Sequence, residues 1–285
     1  MKIAIIIPAH NEADYIKSTL ISLKNQSHKA SKIILVDDNS TDDTSNIAHE
    51  FSADLPLEIL TNKSSDQNIP GSKVIRAFEK GLSRLNLDEF DVVCKFDADL
   101  IFPANYLKTL VSTFKSNEQI GMVGGHCVIH QKGHWIIENQ NNPDHIRGAL
   151  KAYRVSCFKQ INGLRPSIGW DTIDEMLARY YGFKVITVPN LHVKHLKPTG
   201  AAYRKGSWQL QGEAFYKMRY GWWLTMITAL KMSLNKKKFS LFFSYLSGYL
   251  SSKKNNLDPL VTEDQGRFIR RYRWRGIRKK LRFKN

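Results

Sequence analysis

Two carboxylates two residues apart, Asp97 and Asp99, close the stretch Val92-Val93-Cys94-Lys95-Phe96-Asp97-Ala98-Asp99-Leu100. An apolar strand-like run ends in them, and side chains at i and i+2 share one face of an extended chain. Such a pair suits one hard divalent cation of the Mg²⁺ kind, which combines protein carboxylates with substrate phosphates. Further along, Gly169-Trp170-Asp171-Thr172-Ile173-Asp174-Glu175-Met176-Leu177 gathers three more acids. Ile173, Met176, Leu177 and Tyr180 recur there at helical spacing, so Asp171 opens a helix and has the chemistry of an N-cap. Asp174 and Glu175 read as exposed first-turn acids favoured by the helix dipole. His192 and His195 follow a strand-like run at 184–188. The three cysteines, Cys94, Cys127 and Cys157, lack the spacing of a zinc site.

The elements that must position these groups alternate. Residues 2–7, 32–36, 57–60, 91–96, 120–123 and 184–188 read as strands, the first stopped by Pro8. Residues 11–26, 41–51, 71–85 and 103–114 read as helices, the second capped by Ser40 or Thr41. This alternation predicts an α/β fold with a mostly parallel central sheet flanked by helices. In such sheets ligands bind outside the carboxyl ends of the strands. Polar clusters at 8–12, 37–41 and 97–99 occupy three such ends and are expected to meet in one crevice.

The 285 residues, 42% apolar and 24% charged, suffice for a sizeable core. An odd number of scattered cysteines predicts a reduced, cytoplasmic chain without a disulfide framework. A strand beginning at the N-terminus argues against a signal peptide. The net charge of +17 is uneven: residues 1–200 carry 23 Lys/Arg against 22 Asp/Glu, and residues 201–285 carry 20 against 4. A balanced domain over 1–200 is thus expected to precede a helical, basic extension over 201–285 with an anionic partner.

Taken in order, Ile6-Ile7-Pro8-Ala9-His10-Asn11-Glu12, Val36-Asp37-Asp38-Asn39-Ser40-Thr41-Asp42 and Asp97-Ala98-Asp99 resemble the successive motifs of family 2 glycosyltransferases with the GT-A fold. The likeness covers about residues 1–195. It implies a nucleotide-sugar donor, UDP or GDP, whose base and ribose lie among Pro8, Ala9, His10 and Glu12, with Asp38 hydrogen-bonded to the base. Gly71-Ser72-Lys73 resembles the family's Gly-x-Lys segment, so Lys73 could meet a phosphate as a point charge, although a solvated lysine is the plainer reading. The resemblance gives Asp97 and Asp99 the donor diphosphate, through Mg²⁺ or Mn²⁺, and His195 the part of a further metal ligand. It implies a catalytic base at Asp171, eleven residues before Gly182-Phe183, where Trp170 replaces the usual preceding glutamate. Asp174 and Glu175 stay open as alternatives. Inversion at the sugar is likewise implied by the family.

In the basic extension, Trp222, Trp223, Met226, Ile227, Leu230 and Leu234 form a helical stripe. Residues 241–250 are apolar but far short of the roughly 20 residues that span a bilayer. Tryptophans, an apolar stripe and the flanking cations 236–238 and 253–254 suit an interfacial surface, unless the stripe packs on the catalytic domain. We therefore expect residues 222–285 to meet an anionic membrane surface, peripherally at the inner face of the cell membrane. A glycan or lipid-linked acceptor in cell-surface polysaccharide or glycolipid biosynthesis follows from that placement, with a polyprenyl phosphate as the alternative. The chain lacks the Gln-x-x-Arg-Trp motif of processive synthases. Arg and aromatic side chains interleave over 267–284, as in a nucleic-acid surface, but that reading leaves the ordered carboxylates unexplained, so nucleic acid is not an expected partner.

Overall fold

The computed structural model describes residues 1–63, 71–138, 145–197 and 207–282, with the backbone alone at 207 and 280–282. The end of the 267–284 stretch lies outside the described residues. The chain divides into two compact units, residues 1–166 with 170–201, and residues 167–169 with 202–285.

The first unit is built in the order β1 (Ile3–Ala9), α1 (Ala13–Lys24), β2 (Lys32–Asp38), α2 (Thr44–His49), β3 (Leu57–Asn62), α3 (Ser72–Leu82), β4 (Val92–Phe96), β5 (Leu100–Ile101) and α4 (Tyr106–Ser116). It continues with β6 (Ile120–Gln131), β7 (His134–Ile137), β8 (Leu150–Arg154), α5 (Val155–Gln160), α6 (Trp170–Tyr180) and β9 (Lys184–His195). One sheet runs β3-β2-β1-β4-β8-β6-β9-β5, with β7 added on β6. Its first four strands are parallel, β6 and β9 are parallel to each other, and β8, β5 and β7 enter antiparallel. The middles of β1 and β2 are continuous apolar runs because both faces are covered: Ile3, Ile5, Ile6 and Ile7 of β1 and residues 33–36 of β2 are fully buried.

Three local expectations are corrected. Pro8 does not end β1: the strand runs on to Ala9, paired with β2, because its pairing with β4 stops at Ile6 and no N–H is needed beyond. Asn11 does not start α1 but takes a left-handed φ of 54° just before it. The second helix is shorter than expected, Thr44–His49, and its N-cap position is Asp43 rather than Ser40 or Thr41. Those two side chains face the first loop instead.

The second unit holds α7 (Ser207–Lys217), α8 (Trp222–Asn235), α9 (Ser240–Lys254) and α10 (Glu263–Arg282). Among the described residues no helix is long and apolar enough to cross a membrane.

Candidate active site

The loops after β1 and β2 are tied to one another by reciprocal bonds. Asn11 N–H donates to Ser40 Oγ (3.0 Å), and Thr41 N–H donates to Asn11 Oδ1 (2.8 Å). Glu12 N–H reaches Thr44 Oγ1 (2.8 Å), and Ala13 N–H reaches Asp42 Oδ2 (3.0 Å). The N–H groups of Glu12 and Ala13 at the start of α1 are thus met by the second loop and the first residue of α2 rather than by a local cap. His10 Nδ1 lies 2.7 Å from the Asp38 carbonyl. Asp38 is buried, accepts from Asn62 Nδ2 (2.7 Å), and has Lys73 Nζ at 3.8 Å. Lys73 is therefore an ion-pair partner of Asp38 and not a solvated lysine. Glu12 pairs with Lys197 at 3.1 Å and leaves its second carboxylate oxygen buried without a partner. Burial, with the nearby Asp99 and Asp97, raises its pKa against the pull of Lys197.

The turn carrying Asp97 and Asp99 is held from behind by α1. Thr19 Oγ1 donates to the Ala98 carbonyl (2.7 Å) and accepts from Leu100 N–H (3.0 Å), while Ser22 Oγ accepts from Phe102 N–H (3.2 Å). From the other side, β5 and β9 pair with Leu100 opposite His195, which brings that ring to Asp99. His195 Nε2 lies 3.3 Å from Asp99 Oδ2, and Nδ1 lies 3.0 Å from Glu138 Oε2. Asp97, Asp99 and His195 offer ligand atoms all within 4.8 Å of one another. Two carboxylates and an imidazole fit a Mg²⁺- or Mn²⁺-like cation. Burial disfavours a charged His195, yet Asp99 and Glu138 raise its pKa to about 10, so positive charge is drawn to this point. Cys127, Glu138 and His195 form an overlapping group, but burial pushes the Cys127 thiol well up and a thiol is no ligand for a hard cation. His192 is directed elsewhere, against His126, with ring centroids 6.3 Å apart.

The α6 acids are arranged differently from the expectation. Asp174 and Glu175 are buried, not exposed. Lys151 of β8, with a fully buried side chain, donates to both oxygens of Asp174 (2.7 and 2.9 Å) and lies 3.3 Å from Glu175 Oε1. Tyr153 OH adds a 2.5 Å bond to Asp174. Lys151 also donates to the Asp171 carbonyl. His145 bridges two acids, with Nδ1 3.0 Å from Glu175 and Nε2 3.3 Å from Asp171 Oδ2. Burial disfavours a charged His145, but these bonds raise its pKa to about 9. Burial would raise Asp171, and His145, Lys151 and Arg147 outweigh it and hold the carboxyl well below the usual range. Of the three acids, only Asp171 keeps an accessible side chain, 29% exposed against 1% for Asp174 and 5% for Glu175. It alone combines a held negative charge with access to an incoming group.

Trp170 joins the two clusters. Its ring has Lys95 Nζ at 5.4 Å and Lys151 Nζ at 5.6 Å, the former paired with Asp97 and the latter with Asp174. Gly148 admits the ring, because a Cβ there would lie 2.7 Å from Trp170 Cζ2. Sequence reasoning missed Lys95, Glu138, His145, Arg147, Lys151 and Tyr153. Arg147 lies 3.4 Å from Glu138 and also acts on Asp171. The one available signal was Lys95, a charge inside an apolar strand; the others sit in strands and loops without motif spacing.

The pattern of glycosyl transferase family 2 matches residues 4–210. Among relatives, the probable glycosyltransferase YdaM of Bacillus subtilis is 32% identical over 194 residues, covering 62% of this chain and 44% of that protein. The GalNAc(5)-diNAcBac-PP-undecaprenol β-1,3-glucosyltransferase of Campylobacter jejuni is 30% identical over 133 residues, 46% of this chain and 40% of that one. The chain thus spans less than half the length of these curated relatives. Among solved structures, the mannosyltransferase PcManGT of Pyrobaculum calidifontis, in complex with GDP-Man and Mn²⁺, superposes with a TM-score of 0.61 at 14% identity, covering 99% of this chain and 82% of that chain. Residues 1–349 of S. aureus TarS, in complex with UDP-GlcNAc, superpose with a TM-score of 0.59 at 18% identity, covering 88% and 73%. These two share the GT-A fold described above, and the chain belongs to glycosyl transferase family 2.

Proposed function

We propose that this family 2 member is a metal-dependent, inverting glycosyltransferase that moves a sugar from a nucleotide diphosphate sugar, UDP- or GDP-linked, to an acceptor hydroxyl. The observation that carries the reading is the meeting of Asp97, Asp99 and His195 at a turn braced by α1, beside the Glu12 loop. Pro8, Ala9, His10, Glu12 and Asp38 hold the base and ribose, and Lys73 supplies a cation beside Asp38. A Mg²⁺ or Mn²⁺ ion held by Asp97, Asp99 and His195 would offset the charge of the leaving diphosphate. Asp171 takes the proton of the acceptor hydroxyl as its oxygen bonds to the anomeric carbon. The anomeric carbon–phosphate oxygen bond breaks in the same step, and the electron pair leaves with the nucleoside diphosphate. His145 and Lys151 keep Asp171 ionised and oriented before that transfer. The names of similar proteins, which include one solved with GDP-Man and Mn²⁺ and one with UDP-GlcNAc, support this donor class. We place the acceptor among glycan or lipid-linked intermediates of cell-surface polysaccharide or glycolipid synthesis, at an anionic membrane surface met by residues 222–285.

Thermal unfolding with UDP, GDP, CDP and dTDP, with and without Mn²⁺ or Mg²⁺, tests the reading. A matching nucleotide at 100 times its Kd stabilises by about 2.7 kcal/mol. The expected result is stabilisation by one nucleotide that needs the cation and disappears in Asp99→Asn. Stabilisation that ignores the cation would remove the metal from the mechanism.

A further inference from the structure

Soluble helices bury their apolar stripe; α8 does the reverse. Its buried residues are Leu224, Thr225, Ala229 and Ser233, three of the four small. The two hydroxyls among them are satisfied within the helix, Thr225 Oγ1 on the Gly221 carbonyl (2.7 Å) and Ser233 Oγ on the Leu230 carbonyl (2.8 Å), so this narrow face packs without orphan hydroxyls. The outward face carries Trp223 (69% exposed), Ile227, Leu230 and Leu234 (61%), at i, i+4, i+7 and i+11. The following helix continues the pattern. α9 turns Leu241, Tyr245, Gly248 and Tyr249 inward and leaves Phe243 (61%) and Leu250 exposed, with Phe239 (55%) at its N-cap position. Phe239, Phe242 and Phe243 pack on one another as one aromatic group, with ring centroids 5.4 to 5.7 Å apart.

The helices beneath this surface are closely packed. α7 and α9 approach backbone to backbone: a Cβ on Gly212 would lie 1.9 Å from the Tyr245 carbonyl oxygen, and one on Gly248 would lie 2.0 Å from the Gln209 carbonyl oxygen. The helix pair therefore has little room to rotate its apolar stripe inward. Exposed Lys236, Lys237 and Lys238 form the turn between the two helices, and Lys253 and Lys254 end α9. Within the same unit α10 exposes Arg267, Arg271, Arg275 and Arg278 along one side.

We propose that the α8–α9 hairpin is a monotopic docking element that inserts its exposed apolar stripe into an anionic phospholipid surface. This deepens the membrane-facing reading of residues 222–285 and rests on it: that reading places the region at the surface, whereas insertion names the side chains that enter the acyl layer. A helix of 14 residues is about 21 Å long, too short for a hydrocarbon core of about 30 Å, so the hairpin lies within the interface. Tryptophans at one end of α8 and a lysine-rich turn at the other match the boundary between acyl chains and headgroups. Charge selects the occupant. A second copy would set a region with 20 Lys/Arg and 4 Asp/Glu against its equal, whereas anionic lipid neutralises it.

The full chain is mixed with phosphatidylcholine vesicles with or without phosphatidylglycerol and floated at low and high salt. Insertion predicts binding to the anionic vesicles that survives in part at high salt. It also predicts quenching of tryptophan fluorescence by brominated acyl chains, diminished in Trp223→Phe. Leu234→Ser combined with Phe243→Ser lowers the salt-resistant binding at least tenfold, while thermal stabilisation by the donor nucleotide and the helix signal in circular dichroism stay unchanged. Binding that salt abolishes fully, with no bromolipid quenching and no effect of the double variant, overturns insertion and leaves a peripheral contact made by charge. Absence of binding to any vesicle overturns both readings. A dimer in size-exclusion chromatography that the double variant dissociates, without vesicle binding, assigns the face to a second copy instead.

Discussion

The two units solve the placement of polar and apolar side chains in opposite ways. In the first, charge goes inward: Lys95, Lys151, Asp174 and Glu175 are buried, each matched by a partner. In the second, apolar surface goes outward: Trp223, Leu234, Phe239 and Phe243 are more than half exposed, over small residues buried beneath α8. Buried charge is expensive unless paired, and exposed apolar stripes are unfavourable in water. Each unit tolerates its own exception for a different reason. The first locks Asp174 and Glu175 to Lys151 in one buried ion-paired set beside the accessible Asp171. The second presents a surface that water alone does not satisfy. Substitutions should therefore separate cleanly: those in the first unit alter turnover or stability, and those on the exposed stripe alter neither.

The largest separation is expected from Asp171→Asn. Loss of a general base lowers turnover by roughly 10²–10⁴-fold. Transfer to an acceptor hydroxyl should drop by that factor, with thermal stabilisation by the donor nucleotide intact, while Phe243→Ser transfers to a soluble acceptor at the parent rate. Unchanged turnover in Asp171→Asn would break the comparison on the side of the first unit. It would point to an acceptor that is already an anion, such as a polyprenyl phosphate, which needs no base.

Lys151→Met tests the inward charge by stability. Removing one member of a buried set leaves Asp174 and Glu175 without their cation, and breaking such a pair costs about 3–5 kcal/mol. Urea unfolding should show that loss, against a change within about 0.5 kcal/mol for Leu234→Ser, as expected of a surface position. Equal midpoints for the two variants would remove the distinction.

The pH dependence of stability sharpens the same point. His145 has a folded pKa of about 9 against an ordinary 6.5, because Asp171 and Glu175 overcome the effect of burial. Below 6.5 the ring is protonated in folded and unfolded chains, and its contribution is fully present. From 6.5 to about 9 only the folded chain keeps the proton, so stability falls as pH rises, and above about 9 the contribution is gone. His145→Gln should flatten that slope and cost roughly 1.5–3 kcal/mol near neutral pH, the worth of hydrogen bonds to charged groups. His195, raised to about 10 by Asp99 and Glu138, adds a slope of the same sign when no cation is bound. Asp171 works in the opposite sense, its stabilisation present above the ordinary carboxylate range and lost on acidification.

The legible part of the site is the part carried by loops at strand ends. Pro8, Asp38, Asp97 and Asp99 stand where an apolar run stops, and a polar cluster in that place is visible without coordinates. The buried half of the site was not legible. Asp174 and Glu175 look like surface acids in the first turn of a helix, and only Lys151, more than twenty residues earlier on β8, reverses that reading. Strand lengths failed for a related reason. The strands expected at 120–123 and 184–188 run on to Gln131 and His195, and β6 and β9 stay paired through a register shift between Gly124 and His126. Gly125 is required there, since a Cβ would lie 2.1 Å from the Leu191 carbonyl oxygen. Without that close pairing β9 would not carry His195 to Asp99. In the second unit the stripe on α8 was visible as a period, but which side faced water was not, because small residues on one side and large ones on the other suit either orientation.

The smallest expected effect probes the platform of the second unit. Gly248→Ala would place a methyl against the Gln209 backbone, and no flexible side chain can move aside to admit it. Overpacking of this kind costs about 1–3 kcal/mol. The effect should appear as a lower melting point of the helical unit, with Asp171-dependent turnover on a soluble acceptor retained. The variant also bears on why the apolar stripe faces outward. If α7 and α9 are locked by their glycines, parting them lets α9 rotate, and Phe243 and Leu250 can find cover inside. Salt-resistant vesicle binding should then fall together with the melting point, although neither glycine touches the exposed face. If stability falls and vesicle binding does not, the stripe is turned outward by α8 alone, through the small residues Thr225, Ala229 and Ser233 that it packs inward.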